Sequence, residues 1–330
     1  MAIISNMYNE NRVNLGEEIP LSTPFVIQIE ASGFCNLRCS FCPVNDDTTQ
    51  GIIQKDMMTF DTFKLIVDSC SEFQQKIKVL RIIGIGEPLL NKDLPDFIQY
   101  SKNSGHFEKI EVVTNGILLE PELGDKLVSA GLDVLKISLL GLDAESYFTF
   151  AKTQVNTDAI YKNLKDFFRC RNNCGVYIKI LKRALKTELD EHFFYERFGQ
   201  ISDYIYIEEI IENWPEFYSG AVTEVTVRFG LDQYQTTKNI CIQPFLLMCV
   251  AANGDIMPCS VDWKRSLLLD NINQSHSLLS VWNIKTLFKL RTELLTEHRN
   301  SFCSSCNYSI NCQADSIDNY KDKILSRICK

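Results

Sequence analysis

Short runs rich in β-branched and aromatic residues alternate along the chain with stretches in which apolar residues recur every three or four positions. The short runs predict six strands, at residues 25–31, 79–84, 109–114, 134–139, 176–181 and 203–208. The amphipathic stretches predict helices between them, at residues 60–73, 93–102, 121–130, 157–170 and 188–198. Regular alternation of strand and helix indicates a parallel α/β sheet with right-handed crossovers. The pattern alone leaves open whether this sheet is doubly wound or curled into a barrel.

Polar and glycine-rich segments directly follow the first three strands, and Ser138 lies near the end of the fourth. They are GFCNLRCSFCP (33–43), GIGEP (84–88) and TNG (114–116). Ligands of parallel α/β proteins bind at the carboxyl ends of the strands. The segments therefore predict one shared site.

Composition and charge limit the class of protein. The chain has 330 residues, of which 45% are apolar and 23% charged, as in ordinary folded proteins. A net charge of −8 argues against nucleic-acid binding, because phosphate contacts need a basic surface. Without a signal peptide or an apolar run of spanning length, we expect a cytoplasmic protein with no membrane insertion. In that reducing compartment, thirteen cysteines indicate metal or catalytic roles.

Cys35, Cys39 and Cys42 form a three-cysteine loop after the first strand. Thiolates suit zinc or iron–sulfur clusters. Structural zinc takes four protein ligands, whereas a [4Fe–4S] cluster on three cysteines leaves one iron open to an outside ligand. The spacing favours such a cluster. The alternatives are a zinc site completed by a remote residue and a chance grouping of cysteines.

With these motifs the chain resembles the radical S-adenosylmethionine (SAM) enzymes, whose signature is CxxxCxxC with an aromatic residue before the last cysteine, here Phe41. The resemblance continues, in family order, through GIGEPLLN (84–91), TNGILL (114–119) and KISLLGLDAESY (136–147). It implies a partial (β/α)6 barrel of the TIM type. It also implies a [4Fe–4S] cluster on the three cysteines, with SAM bound to the open iron and cleaved reductively to a 5′-deoxyadenosyl radical.

The resemblance further implies which residues contact SAM. The glycine-rich segment would bind the methionine ammonium through backbone groups, because a missing Cβ permits close approach. Ile85 departs from the family, which often has glycine at that position. Asn115 and Ser138 match positions that contact the ribose or the carboxylate, and Phe41 would pack near the adenine. The implied set is Phe41, Gly84, Gly86, Glu87, Pro88, Asn115 and Ser138.

Seven of the thirteen cysteines lie between residues 241 and 329, in a region where one helix is predicted near 278–295. Two spacings stand out, C-x12-G-x4-C from Cys241 to Cys259 and C-x2-C-x5-C from Cys303 through Cys306 to Cys312. They resemble the SPASM or twitch extension, which binds one or two auxiliary iron–sulfur clusters. The two-cluster version has a further cysteine where this chain has Ser316.

The resemblance therefore implies at least one auxiliary [4Fe–4S] cluster, most simply on Cys241, Cys259, Cys303 and Cys306. Cys312 and Cys329 are rival ligands. If Cys312 and Cys329 join Cys303 and Cys306 in one cluster, a second cluster with an open iron would be left with Cys241, Cys249 and Cys259. A zinc ribbon is the alternative to both. The implied domains are an N-terminal extension (1–24), a radical SAM core (25–232) and a small cysteine-rich SPASM/twitch domain (233–330).

Three functions are compatible with this sequence. The first is a radical oxidoreductase that dehydrogenates or epimerises a carbohydrate, in surface-polysaccharide or aminosugar biosynthesis. It is favoured because compact relatives with one auxiliary cluster commonly act on sugars, and because only 24 residues precede the first strand. The second is a peptide maturase that forms a thioether, a crosslink or a D-residue. The third is a non-enzymatic, zinc-stabilised binding protein.

A radical SAM enzyme also needs an electron donor, such as flavodoxin or ferredoxin. The candidate catalytic residues are Glu30 and Glu208, as substrate ligands or bases at strand ends, and Cys249, as a hydrogen donor. Glu30 and Glu208 fit equally well as solvated carboxylates. Cys249 also fits as a buried thiol or a cluster ligand. Lys179 is expected to face the barrel interior or to form an ion pair.

Overall fold

The structure is a computed structural model that describes residues 2–5, 13–209, 214–217, 238–308 and 315–328. Its described strands form one sheet. In chain order they are β1 (Ile3–Ile4), β2 (Val26–Ile29), β3 (Ile77–Ile82), β4 (Phe107–Thr114), β5 (Val134–Leu139), β6 (Gly175–Leu181), β7 (Tyr204–Glu208), β8 (Leu247–Val250), β9 (Asp255–Met257) and β10 (Asp270–Asn271). The order across the sheet is β1-β7-β6-β5-β4-β3-β2-β8-β9-β10. All six predicted strands are present, as β2 to β7.

Several of the described helices begin directly after a side chain that caps their first turn. Thr59, Asn156 and Thr187 each accept a hydrogen bond from a backbone N–H of the first turn, at the starts of α2, α6 and α7. The helices are α1 (Leu15–Glu18), α2 (Phe60–Ser69), α3 (Leu94–Ser104), α4 (Pro121–Ser129), α5 (Ala144–Ala151), α6 (Thr157–Cys170), α7 (Glu188–Phe198), α8 (Gln243–Leu246), α9 (Ile272–Ser275), α10 (Leu278–Trp282), α11 (Lys285–Leu295), α12 (Ser301–Ser304) and α13 (Lys321–Ile328).

The strand order resolves the choice between a doubly wound sheet and a barrel. Strands β2 to β7 are parallel and lie side by side in chain order. In a doubly wound sheet the strand order reverses near the centre, so helices cover both faces. When each right-handed crossover instead leads to the next strand on the same side, every helix lies on one face. The sheet is therefore of the barrel type. Among the described strands β2 pairs with β8 and β7 pairs with β1, so the barrel is partial, as expected.

The two faces of the sheet differ in polarity. Ile27, Leu80 and Val112 belong to the main core, which includes helix residues such as Phe63 and Phe97. Their neighbours along each strand point to the other, inner face. That face carries charge: Glu111 Oε2 lies 3.1 Å from Arg81 Nε and 2.9 Å from Lys136 Nζ. The inner face is therefore suited to polar ligands, while the helix face holds the fold together.

The region after residue 240 is joined to the same sheet. β8 pairs in parallel with β2, with Met248 opposite Ile27, and β9 and β10 continue the sheet in antiparallel fashion. The helix predicted at 278–295 is two helices, α10 and α11, because Ile284 between them is extended, with ψ of 145°. The predicted boundary at 232/233 lies outside the described residues. None of the described helices is both long and apolar enough to span a membrane.

Candidate active site

The three-cysteine loop follows β2 and is fastened to α5. The backbone N–H groups of Arg38 and Ser40 donate to the carbonyls of Ala151 and Phe150, each at 2.9 Å, and so bond the last carbonyls of that helix. Burial raises the pKa of the Cys39 thiol, and the neighbouring Cys42 and Cys35 raise it further. The three thiols are therefore close enough to interact electrostatically.

Glu87 connects the second and third motifs through its buried carboxylate. Oε1 accepts hydrogen bonds from Leu89 N at 3.0 Å and Thr114 Oγ1 at 2.6 Å, and Oε2 accepts one from Asn115 N at 2.9 Å. Burial raises the pKa of this carboxyl, although the three hydrogen bonds act to lower it. The Glu87 side chain is thus occupied by hydrogen bonds within the protein. A ligand of this motif would therefore contact the backbone of the motif.

Two glycines of this motif are needed for close packing inside the protein. A Cβ on Gly86 would lie 2.0 Å from the carbonyl oxygen of Ser32, at the start of the cysteine loop. A Cβ on Gly84 would lie 2.6 Å from Cγ of Glu30. Gly86 therefore lets the cysteine loop pack against the second motif, and Gly84 leaves room for the Glu30 side chain.

The third motif also contacts the cysteine loop. Asn115 Nδ2 donates to Asn36 Oδ1 at 2.7 Å, and Asn115 Oδ1 accepts from Ile117 N at 3.0 Å. The other implied SAM contacts are more scattered. Phe41 packs against the main core, Pro88 begins a buried 3-10 turn, and Ser138 lies opposite Lys179 on β6. The structure thus joins the first three motifs directly and places Ser138 on β5, the strand next to the one that carries the third motif.

The donor set fits a cluster that also binds an outside molecule. It consists of three neighbouring thiols on one loop, beside a cavity of about 710 Å³. That volume lies within the usual range of small-molecule sites, about 300–1,000 Å³. Within the described ranges, no three Cys, His, Asp or Glu side chains converge on the position of a single metal ion. The cavity is lined by Cys35, Asn36, Arg38, Val44, Asp46, Thr49, Gln50, Gly51, Ile53, Lys55 and Thr153.

A second group of cysteines lies after residue 240. Cys241, Cys259, Cys303 and Cys306 line one apolar cavity, together with residues such as Leu294. Burial raises the pKa of the Cys241 thiol to about 12, and Cys306 and Cys303 contribute to the increase. The structure therefore brings together the four cysteines of the one-cluster prediction. The rival ligands Cys312 and Cys329 lie outside the described residues.

A third cavity, called the middle cavity below, is lined by Gly84 and Ile85 of the second motif and by Cys259 of the second cysteine group. Ile85 also packs in the same small cluster as Cys35 and Cys42. Cys259 lines this cavity and the four-cysteine cavity. The lining combines apolar residues such as Ile83, Met257 and Trp263 with polar ones. Its polar and thiol-bearing members are Gln28, Glu30, Cys249, Cys259, Ser260, Asp262 and Arg265.

Glu30 and Cys249 both lie in this middle cavity. Glu30 Oε1 is 3.8 Å from the Arg265 guanidinium, and its oxygens face the amides of Ala252 and Ile85 at 3.4 Å. Burial raises the pKa of Glu30 although Arg265 opposes the shift. Burial likewise raises the pKa of the Cys249 thiol, on β8 opposite Gln28. The thiol is therefore neutral and carries its hydrogen.

Sequence reasoning missed Arg265 and Asp262. Arg265 donates to Gln54 at 2.7 Å and Asp255 at 2.9 Å, and Asp262 accepts from the backbone N–H of Leu267 at 2.7 Å. Both residues follow Cys259 by a few positions, in CSVDWKR. Their position close to Cys259, a candidate cluster ligand, was the sequence signal that could have identified them.

Glu208 lies apart from this middle cavity, at the end of β7. Its Oε2 is 2.5 Å from Nζ of Lys179 on β6. Tyr206 and Ser138 lie in register with Lys179 on the neighbouring strands. The ion pair thus stands at the carboxyl ends of the last two barrel strands.

Two family models match the chain. The radical SAM superfamily model covers residues 29–195, and a model described as an iron–sulfur cluster-binding domain, SPASM, covers residues 241–307. The first match spans half of the chain and contains the three-cysteine loop. The second contains Cys241, Cys259, Cys303 and Cys306.

Curated relatives match only the core. The GTP 3′,8-cyclase of Chlorobaculum tepidum is 34% identical over 126 residues, which are 38% of this chain and 36% of that protein. A probable GTP 3′,8-cyclase of Methanococcus maripaludis is 40% identical over 113 residues, which are 34% of this chain and 35% of that protein. The chain thus matches about a third of the length of these relatives.

Solved structures match over most of the chain. BtrN in complex with AdoMet and 2-DOIA is 17% identical, with a TM-score of 0.56 over 86% of this chain and 92% of that one. Native anSMEcpe with bound AdoMet is 14% identical, with a TM-score of 0.63 over 92% and 96%. Streptococcus suis SuiB bound to its precursor peptide SuiA is 17% identical, with a TM-score of 0.56 over 94% and 77%. At these identities the likeness concerns the fold.

Proposed function

The chain belongs to the radical SAM superfamily, and from this premise we propose that it epimerises or dehydrogenates a carbinol carbon of a carbohydrate. It is an enzyme of the oxidoreductase type, and its cofactors are SAM and a [4Fe–4S] cluster. The SPASM match adds auxiliary iron–sulfur binding. The carbohydrate, the carbon and the residue roles below are the proposal.

Cys35, Cys39 and Cys42 are the proposed ligands of the SAM-binding cluster, and the backbone of residues 84–86 is proposed to bind the methionine part of SAM. When bound, the cluster would supply the electron for reductive cleavage of SAM, and the 5′-deoxyadenosyl radical so formed would remove a hydrogen atom from the substrate. Cys241, Cys259, Cys303 and Cys306 are the proposed ligands of one auxiliary cluster. Flavodoxin or ferredoxin is the proposed electron donor.

The observation that carries the proposal is the set of polar groups in the middle cavity, a space of about 40 Å³ that would have to widen to admit a sugar ring. Carboxylates and a guanidinium in its lining suit a substrate rich in hydroxyl groups, because each can form hydrogen bonds that orient one carbon. Glu30 and Arg265 are proposed to bind hydroxyls there. Such a lining favours a carbohydrate over a peptide side chain.

Cys249 favours epimerisation over dehydrogenation. Its S–H is buried in the same cavity and can give a hydrogen atom to the substrate radical from the face opposite to abstraction. One electron and one proton then restore the thiol, and the electron comes from the proposed donor. In dehydrogenation the substrate radical would instead lose a proton to a base such as Glu30 and an electron to the auxiliary cluster. Glu208 is retained as a ligand for a more distant hydroxyl, with Lys179 as its counter-ion.

The test is turnover of reconstituted enzyme in D2O with a panel of aminosugars and other carbohydrates. Thiol hydrogens exchange with solvent, so epimerisation by Cys249 yields an inverted product with deuterium at the inverted carbon. The Cys249→Ala variant should still form 5′-deoxyadenosine but no inverted product, and the exposed Cys170 provides a matched Cys170→Ala control. Substrate-dependent 5′-deoxyadenosine formation with peptides alone would refute the proposal in favour of a maturase.

A further inference from the structure

The backbone directly before Cys241 is held by side chains from two other parts of the chain. The N–H groups of Asn239 and Ile240 donate to the two carboxylate oxygens of Asp318, at 2.9 and 3.0 Å. The carbonyl of Asn239 accepts a hydrogen bond from the Arg299 guanidinium. Hydrogen bonds with a charged partner are roughly twice as strong as neutral ones. The three bonds therefore fix the direction in which the chain enters Cys241.

Arg299 connects these bonds with the other cysteines of the group. It lines the four-cysteine cavity. The next residue, Asn300, caps α12 by accepting a hydrogen bond from the N–H of Cys303 at 2.8 Å. One short segment thus orients Cys303 and, through the Asn239 carbonyl, also holds the backbone that leads to Cys241.

Asp318 belongs to a C-terminal segment that is packed against the rest of the protein. It lies beyond residue 307, where the SPASM match ends, and begins a 3-10 turn that leads into α13. Ile317 before it and Ile324 after it are both fully buried. From α13, Arg327 donates to the carbonyl of Ile19 at 2.9 Å. The carboxylate is therefore presented by a fixed element, at a position that the family match does not include.

A cluster binds more tightly when its protein ligands are already in place, because ligands that are ordered only during binding lose conformational entropy. Loss of a partner that orients a ligand typically lowers metal affinity by about 10- to 100-fold. We propose that Asp318, together with Arg299, positions Cys241 for the auxiliary cluster, so that the C-terminal segment is part of the auxiliary-cluster site. The inference rests on the proposed ligand set of that cluster. Asp318 acts through the backbone and is a positioning residue.

The test is anaerobic release of iron to excess EDTA from reconstituted wild type and Asp318→Asn. Mössbauer spectra taken during release follow the two kinds of cluster separately, since SAM changes the spectrum of the cluster that binds it. In the variant an amide nitrogen faces a backbone N–H that had donated to the carboxylate. We expect the auxiliary cluster to lose iron about tenfold faster than in wild type, and the SAM-binding cluster to lose iron at the wild-type rate.

The matched control is Asp322→Asn, which alters an exposed carboxylate on α13 and should release iron as the wild type does. Wild-type release from the auxiliary cluster in Asp318→Asn would overturn the inference. Equal acceleration at both clusters would mean a general loosening of the protein, and the inference would also fail. Arg299→Gln should speed release from the auxiliary cluster, whereas Arg299→Lys keeps a charged donor for the Asn239 carbonyl and should lie nearer to wild type.

Cys241→Ala distinguishes this inference from the proposed ligand set. If Cys241→Ala lacks the auxiliary cluster while Asp318→Asn releases iron at the wild-type rate, the inference alone is wrong. If Cys241→Ala keeps the auxiliary cluster, the proposed ligand is wrong and the inference fails with it. Neither result depends on the substrate, so failure of the proposed carbohydrate activity is seen separately.

Discussion

The carboxylate of Glu87 accepts a hydrogen bond from the backbone N–H of Asn115 across 2.9 Å, and this bond joins the loop after β3 to the loop after β4. Asn115 in turn donates to Asn36 in the cysteine loop. The first three motifs are therefore one connected unit, whose geometry depends on a buried carboxylate with three protein donors. A change to that carboxylate should alter the whole site.

Replacing Glu87 by Gln should destabilise the protein by about 2 kcal/mol. The new side-chain amide nitrogen would face an N–H or O–H group that had donated a hydrogen bond to the carboxylate. SAM cleavage should fall together with stability. Urea unfolding of the iron-free protein gives the first quantity and 5′-deoxyadenosine formation the second. Glu122→Gln is the control, since that carboxylate is exposed on α4 and should leave both unchanged. Equal stability of Glu87→Gln and wild type would contradict the role assigned to this bond.

Replacing Gly86 by Ala should displace the cysteine loop from the second motif. A new Cβ at 2.0 Å from the Ser32 carbonyl oxygen cannot be accommodated without movement of backbone. We expect a loss of stability of about 3 kcal/mol and reduced cluster content, measured by urea unfolding and iron analysis. The matched control is Gly175→Ala, where the nearest atom would be 3.5 Å away, and its stability should stay within about 1 kcal/mol of wild type. A normal cluster content in Gly86→Ala would count against tight packing here.

Replacing Cys306 by Ala should remove the iron of one auxiliary cluster and leave that of the SAM-binding cluster. Cys306 lines the four-cysteine cavity, so its loss leaves three thiols for that cluster. Iron and sulfide analysis with Mössbauer spectroscopy measures the change. Cys329→Ala should keep the full iron content, because the one-cluster arrangement does not use it. An equal loss of iron in Cys329→Ala would favour the two-cluster arrangement instead.

The ion pairs of Glu111 with Arg81 and Lys136 on the inner face should make the free energy of unfolding depend on pH. Burial alone would raise the pKa of Glu111, but Arg81 and Lys136 outweigh it, and the pKa is lowered below its ordinary value of 4.5. The ionised form therefore contributes stability above that value, and the contribution is lost as the pH falls through the lowered folded value. Glu111→Gln should cost about 2 kcal/mol at neutral pH, since two half-buried cations are left without their partner. The deficit should shrink below pH 4.5, as urea unfolding at several pH values would show. A deficit independent of pH would contradict the assignment.

The barrel strands could be predicted because their signals are local. Each strand from β2 to β7 is a short β-branched run, and each cysteine motif is likewise readable within about twenty residues. The middle cavity could not be predicted in the same way. Ala252 faces Glu30 across 222 positions in the chain, and this contact exists only because β8 pairs with β2. A four-residue strand such as β8 carries too little pattern to reveal its partner.

Roles within motifs were also harder to predict than the motifs themselves. Gly86 stays a predicted SAM contact, and the structure adds a second requirement for glycine there, the close approach of the Ser32 carbonyl. Glu87 stays a predicted SAM contact, and the sequence did not reveal that its carboxylate also holds neighbouring loops. A sequence motif records that a residue type is required at a position. It does not record which neighbour imposes the requirement, because that depends on packing between distant segments.

The pairing of β8 with β2 has a consequence for how the molecule can be divided. A chain cut before β8 would leave the first barrel strand with an unsatisfied backbone edge, next to the loop that carries the three cysteines. The two cysteine-bearing regions should therefore melt in a single cooperative transition. Exchanging the C-terminal region with that of another enzyme would require redesign of β2, the strand with which β8 pairs. This region is therefore not an interchangeable module.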